Sequence, residues 1–302
     1  MTGIHNVFML RPNNFGFNYD TKSTNPFQNN VSFNQKSIAE KAIIEFDEMI
    51  EVLVNENINV HVFEDDNKNV NPDAVFLNNW LAVTPEKQLC LFPMFAKSRR
   101  KERRGDIIES LKNEILINNT LDLSHYEKSE VFLESTGSIV LDYQNRIAYA
   151  SISDRTNSKL FEAFCTEIDF EGFSFNASDL NGLPIYHTNV LLSIANQYAI
   201  ICLDCIESSL ERALIVKMLK KSGKVIIEIS FTQLMNYSAN CLEVFDSSNQ
   251  SKLVMSKTGY SALNSYQIKS IRSYSPFVIV DIPTIEQVGG GSARCMMMGV
   301  PY

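Results

Sequence analysis

The chain has 302 residues, 45% of them hydrophobic and 21% charged, and a formal net charge of −8. It can bury a large core in one domain or two, and its acidic balance argues against a nucleic-acid partner. No apolar run reaches about 18 residues, the opening MTGIHNVFMLRPNNFGF lacks a basic start followed by a small-residue cleavage site, and six cysteines are too sparse for a disulfide scaffold. A cytoplasmic protein without a membrane partner is expected.

Read in chain order, the sequence begins with an apolar strand, VFML, and then a helix over 37–56 with apolar residues at Ile43, Ile44, Phe46, Met49, Ile50, Leu53 and Val54. The strand INVHVF follows. Four hairpins come next, each two apolar strands around a polar turn: AVFLNNWLAV/TPEKQ/LCLFPM, VFLESTGSIVL/DYQN/RIAYASIS, IYHTNVLLSI/ANQ/YAIICLD and CLEVFD/SSNQS/KLVMS. Helices are expected after them at 98–117, 157–166, 206–221 and 261–273, followed by strands such as KVIIEIS and PFVIVDI.

The first strands pass Val75, Val131, Ile185 and Ala239 or Asn240, about 55 residues apart, and the next step of that length lands on Cys295. Four complete units are therefore expected. A fifth is assembled from the amino-terminal strand and the closing ARCMMMGV, giving a ring of ββαβ units sealed by both termini in a single domain, 1–302. A two-domain α/β protein is the alternative.

If corresponding strands face a common axis, the residues at matching positions meet there. Those positions hold Asn78 and Asn79 in VFLNNW, Glu134 in FLESTGS, His187 and Asn189 in YHTNV, and Cys295. A charged or amide side chain inside an apolar strand is costly unless paired, so the repetition points to a polar site. Cys295 stands behind Gly289-Gly290-Gly291, where a backbone without side chains lets a ligand come close to a nucleophilic thiol. His5, His61 and His125 have no comparable context. Cys202 and Cys205 form a lone CxxC, and with no second pair to complete a zinc site they are expected in the core. The run KSRRKERR reads as a solvated helix start, and Met296, Met297 and Met298 as packing.

The strings MLRPNNFGFN, PDAVFLNNW, FPMFAKSRRKERR, FLESTGS, SDRTN, YHTNV and GGGSARCM together resemble the guanidine-modifying, or pentein, superfamily, most closely its citrulline hydrolase branch. The resemblance runs nearly end to end. It implies an α/β fold, a five-bladed α/β propeller, with no metal and no organic cofactor. It also implies Cys295 as nucleophile, His187 as general acid and base, and Glu134 as the carboxylate that orients the nitrogen end of the substrate. By the same resemblance, Arg155 meets the substrate carboxylate, Arg99 or Arg100 closes over that group, and Asp73 meets the α-amino group.

In the deiminases of that superfamily the positions of Asn79 and Asn189 are aspartates that grip a guanidinium cation. Here both are amides. An amide offers one acceptor and two donors and can answer both faces of a neutral urea, whereas a carboxylate only accepts. The expected reaction is hydrolysis of citrulline to ornithine, carbon dioxide and ammonia through a covalent Cys295 intermediate, with the Gly289–Ser292 backbone as the source of oxyanion donors. Two alternatives stand beside it: an arginine deiminase, other guanidine hydrolase or amidinotransferase of the same fold, and a propeller that binds without chemistry. A homo-oligomer is compatible with all three.

Overall fold

The computed structural model describes residues 3–29, 34–66 and 70–302. Its first helix, Gln35–Asn55, begins where the Asn34 side chain accepts the Lys36 N–H, and it buries Ile38, Ala42, Phe46, Met49 and Leu53 along one stripe. Each of the larger side chains contributes about 1.5–3 kcal/mol on burial, against about 1 kcal/mol for a cap, so packing rather than capping holds it. It joins strand β1 (Ile4–Arg11) to the parallel strand β2 (Asn59–Glu64), while the other edge of β1 pairs antiparallel with the last strand of the chain, Met298–Pro301. The termini thus complete one sheet together.

The other four sheets repeat that plan within continuous sequence. Strands β3 (Leu81–Val83), β4 (Gln88–Leu91) and β5 (Asn119–Asp122) form the first, and β6 (Val140–Asp142), β7 (Ile147–Ser151) and β8 (Glu171–Phe175) the second. The third holds β9 (Leu192–Ile194), β10 (Tyr198–Ile201) and β11 (Val225–Glu228). The fourth holds β12 (Leu242–Phe245), β13 (Ser251–Ser256) and β14 (Phe277–Val280). In each, the first two strands are antiparallel and the last two parallel, as the pairs Leu81↔Leu91 and Cys90↔Leu121 show. A parallel pair needs a long crossover, and a helix supplies it: Gly105–Ile115, Ser158–Glu167, Ser209–Lys221 and Ser265–Arg272 in turn. Neighbouring units touch through their first strands or the segments beside them: Met298–Pro301 with β3, Ser135–Ser138 with β3, β6 with β9, β9 with β12 and β12 with β1. The five sheets therefore stand around a common axis as blades of an α/β propeller.

Two details differ from the sequence reading. The segment 98–117 is not one helix but a 3-10 stretch, Lys97–Glu102, and then the helix Gly105–Ile115. More consequentially, the axis residues do not lie inside strands. A single helical turn precedes the first strand of four units, at Leu77–Asn79, Ser135–Ser138, Thr188–Leu191 and Ala293–Met296, and Asn240 occupies a hydrogen-bonded turn before β12. Local side-chain bonds compete with the strand ladder here. Ser138 Oγ accepts the Glu134 N–H at 3.0 Å and donates to the Arg155 carbonyl at 2.8 Å, and Thr188 Oγ1 accepts the Ser151 N–H at 2.7 Å and donates to the Ser138 carbonyl at 2.6 Å. Among the described residues no helix is long and apolar enough to cross a membrane.

Candidate active site

The helical turns deliver their polar residues to one end of the axis. There a cavity of about 20 Å³ is lined by Asp73, Asn79, Arg99, Arg155, His187 and Cys295, with Phe76, Tyr186, Gly289–Gly291, Thr21 and Asn25 completing its wall. Glu134 stands immediately behind His187 and accepts its Nε2–H at 2.7 Å. A carboxylate can only accept, so the neutral imidazole carries its proton on Nε2 and keeps Nδ1 as its basic lone pair.

The electrostatics follow from burial and charge. Glu134 is fully buried, which opposes ionisation, yet the Arg155 guanidinium, 3.5 Å away, and the His187 hydrogen bond outweigh burial and hold its carboxyl at about 2. Burial lowers His187 to about 4 in spite of Glu134, so the ring is neutral near pH 7. Burial pushes the Cys295 thiol up, opposed first by the Asn240 hydrogen bond. Burial also raises Asp73 against the charge of Arg99. For Arg99 the carboxylate of Glu102 overcomes burial and holds the guanidinium charged, through paired contacts of 2.9 Å.

Arg99 and Arg100 separate cleanly. Arg99 is 2% exposed and donates Nη1 to Asn79 Oδ1 at 2.8 Å, whereas Arg100 donates to the Met94 and Phe95 carbonyls, lies 3.5 Å from Glu127 and does not border the cavity. The expectation for Arg100 is therefore corrected. So is the reading of KSRRKERR as a solvated start, because Arg99 and Glu102 are buried and Arg103 pairs with Glu127 at 2.6 Å.

Asn78 and Asn189, expected to meet the substrate, do not border the cavity but lie against Cys295. Asn78 Nδ2 donates to the Cys295 carbonyl, Asn189 Nδ2 donates to the Thr136 carbonyl at 3.1 Å, and Asn189 Oδ1 lies 3.8 Å from Cys295 Sγ. Asn240 was not among the residues picked out as site candidates, although the 55-residue spacing passes through it. Its Nδ2 lies 3.1 Å from Cys295 Sγ. Tyr186 is another addition: its ring lies under Arg155 at 4.9 Å and its hydroxyl donates to the Gly290 carbonyl at 2.7 Å.

The glycine run is required by contact. A Cβ on Gly289 or Gly291 would come within 2.7 or 2.8 Å of the Phe76 ring, and Gly290 has φ +67°. The Gly290 N–H is spent on the Glu286 carbonyl at 2.9 Å, which removes it from the expected oxyanion donors. Of the buried polar atoms that lack partners among the described residues, two belong to residues lining this cavity: Asp73 Oδ1, an acceptor, and Arg155 Nε, a donor. Its volume has room for about one water. The segment above it is tied down by Thr24 to Arg155 (2.8 Å), Asn25 to the Gly289 carbonyl (3.3 Å) and Gln28 to the Val288 carbonyl (3.4 Å). Among the described residues, no cluster of three or more His, Cys, Asp or Glu is arranged to hold a metal ion.

A family model described as N,N dimethylarginine dimethylhydrolase, eukaryotic, matches residues 11–301. No curated protein matches in sequence. Among solved structures the chain is similar to ArgZ, an arginine dihydrolase from the ornithine-ammonia cycle in Cyanobacteria, at 17% identity and a TM-score of 0.75; 98% of this chain is covered, and it spans 40% of that one. The N-terminal domain of ArgZ, a cysteine-to-serine variant bound to substrate, aligns at 16% identity and a TM-score of 0.74 over 98% of this chain and 97% of the domain. A dimethylarginine dimethylaminohydrolase, as a histidine-to-glycine variant in an adduct with S-methyl-L-thiocitrulline, aligns at 16% identity and a TM-score of 0.67 over 98% and 99%. At these identities the likeness to the solved structures shows the fold.

Proposed function

The chain belongs to the eukaryotic N,N-dimethylarginine dimethylhydrolase family, within the guanidine-modifying (pentein) superfamily, and from that premise we propose that it is a cysteine-dependent hydrolase of citrulline. One observation carries the choice of substrate. Asn79 gives its Oδ1 to Arg99 at 2.8 Å and one Nδ2 hydrogen to Asn78 Oδ1 at 3.4 Å, so what it can offer the reacting group is its second amide hydrogen, near the His187 ring. A donor there suits the carbonyl oxygen of a urea and meets a guanidinium N–H as like against like. The nearby carboxylate is already engaged: Glu134 Oε2 holds His187 and Arg155, and Oε1 accepts the Phe95 N–H at 3.0 Å.

The partnerless atoms suit the other end of an amino acid. Asp73 Oδ1 accepts from the α-ammonium, and Arg155 with Arg99 faces the carboxylate. In the reaction the Cys295 sulfur attacks the ureido carbon, and its proton passes through His187 Nδ1 to the departing δ-nitrogen. Ornithine leaves, and a carbamoyl group stays on the sulfur. Water, deprotonated by the now neutral His187, cleaves the S–C bond. Carbamic acid leaves as carbon dioxide and ammonia, and the thiol regains its proton. The whole of 1–302 acts as one unit in this reading, since both ends of the chain build the cysteine's sheet.

A second reading has its own observation. Three buried carboxyl groups, Asp73, Glu102 and Glu134, stand near two guanidiniums, Arg99 and Arg155. Burial raises Asp73, and raises Glu102 to about 7, and a substrate cation would favour their ionised forms. An arginine dihydrolase, the activity printed for ArgZ, or a dimethylarginine hydrolase fits that arrangement. Parallel incubation of the purified protein with citrulline, arginine and dimethylarginine separates the readings. Ornithine and ammonia from citrulline alone support the first; ornithine from arginine, or methylated amine from dimethylarginine, supports the second.

A further inference from the structure

The Cys295 sulfur has no histidine partner in the described structure. His187 is bound to Glu134 through Nε2, and no hydrogen bond joins its ring to the thiol. A buried sulfur that must become an anion needs a donor of its own, because water cannot solvate it there. The one side-chain N–H that reaches it among the described residues belongs to Asn240, 1% exposed, at 3.1 Å.

The orientation of that amide is fixed from both sides. Its Oδ1 accepts the Cys295 backbone N–H at 3.4 Å, and its Nδ2 donates one hydrogen to the Asn189 carbonyl at 3.1 Å. A flipped amide would set two oxygens against each other at Asn189 and two N–H groups against each other at Cys295. The NH₂ group therefore has one hydrogen for Asn189 and a second aimed at the sulfur. Asn240 is also the contribution of the fourth blade, the single unit from which no functional residue was expected.

We infer that Asn240 is a catalytic residue, whose second amide hydrogen holds the Cys295 sulfur as the anionic nucleophile that attacks the substrate carbon. A neutral donor has a further consequence. It stabilises the anion without adding a cation to the pocket, which suits an uncharged reacting group. The other charged and titratable groups facing the sulfur are Arg294 on its own turn, Arg99 from Lys97–Glu102, Tyr186 and His187 from the third blade, and Tyr237 from the turn before Asn240. These stay constant when Asn240 alone is changed. The inference rests on Cys295 being the nucleophile, and not on which substrate it attacks.

The test is the pH dependence of Cys295 alkylation by iodoacetamide, read at that residue by peptide mass spectrometry in the wild type, N240D and N240S, with near-UV circular dichroism reporting the fold. The expected result is a rise of about one unit or more in the half-alkylation pH, larger for the isosteric N240D, whose carboxylate cannot donate. With whichever substrate is turned over, kcat should fall about 10²- to 10³-fold with KM nearly constant. Because alkylation needs no substrate, a shifted profile in an enzyme inactive on citrulline overturns the substrate assignment and leaves Asn240 standing. A wild-type profile in either folded variant overturns the inference. Loss of fold in both variants would do so too, by making the amide a structural prop.

Discussion

The two ends of the propeller axis are both lined with buried charge, and they treat it in opposite ways. At the hairpin end a cavity of about 50 Å³ is bordered by Asp142, Asn196, Glu243 and Arg294. There Asp142 is held by Lys224 at 3.2 Å and by Asn145 at 2.9 Å, while Glu243 accepts from the Asn196 N–H at 2.8 Å and the Ser251 hydroxyl at 2.7 Å. Every carboxylate there is answered by the protein itself. At the other end Asp73 Oδ1 and Arg155 Nε are left without partners among the described residues, and a thiol faces a void. Desolvating polar atoms without pairing them costs free energy. The Tyr149 and Tyr198 hydroxyls are also unpartnered among the described residues but belong to neither cavity lining, whereas Asp73 and Arg155 line the cavity of this unfinished end, where a ligand can answer them.

The strongest way to sharpen that contrast is Cys295→Ala. Turnover of citrulline should fall by about 10⁴-fold or more, with the thermal midpoint nearly unchanged, as chromatographic ornithine assays and melting curves would record. The reverse pattern is expected from Lys224→Met at the hairpin end. Breaking a buried ion pair there should destabilise the fold by about 3–5 kcal/mol in denaturant titrations, with kcat/KM intact. Equal effects on activity from the two variants would break the distinction.

Asn79→Asp comes next. It replaces the donor presented to the reacting group by an acceptor, and kcat/KM for citrulline relative to arginine should drop about 10- to 100-fold in competition assays. Stability should also titrate at the unfinished end. His187 is lowered from 6.5 to about 4, so the unfolded chain takes up its proton first, and stability present above pH 6.5 is lost as the pH falls toward 4. Glu134, lowered from 4.5 to about 2, extends the loss below pH 4.5. His187→Gln should flatten the melting-temperature curve between pH 6.5 and 4 and leave the lower limb in place. The smallest effect belongs to Arg100→Ala, whose partly exposed pairing with Glu127 is worth about 1 kcal/mol or less and whose loss should leave kcat/KM as it was.

Arg99 and Arg100 also show where sequence reasoning stops. Neighbours in a 3-10 turn point about a third of a turn apart, so the phase of Lys97–Glu102 decides which one enters the cavity, and composition carries no trace of that phase. The blades were legible because each alternates apolar hairpin and amphipathic helix at a near-constant period, and that period led to Glu134, His187 and Cys295. It led to Asn240 as well. An asparagine beside an apolar strand has the look of a turn residue, and in fact it is one, as Glu134, His187 and Cys295 also stand in or at the head of turns ahead of their strands. What the pattern could not show was which amide hydrogens are consumed by the protein and which remain for a ligand. That depends on pairs such as Asn79 with Arg99, 20 residues apart, and Asn240 with Cys295, 55 apart.

Acid-quenching the protein during turnover of citrulline, followed by peptide mass spectrometry, tests the central claim most directly. The account predicts a carbamoyl group on Cys295, absent without substrate and absent from His187→Gln. No adduct on Cys295 from citrulline, together with an amidino or alkylamidino adduct from arginine or dimethylarginine, would contradict it.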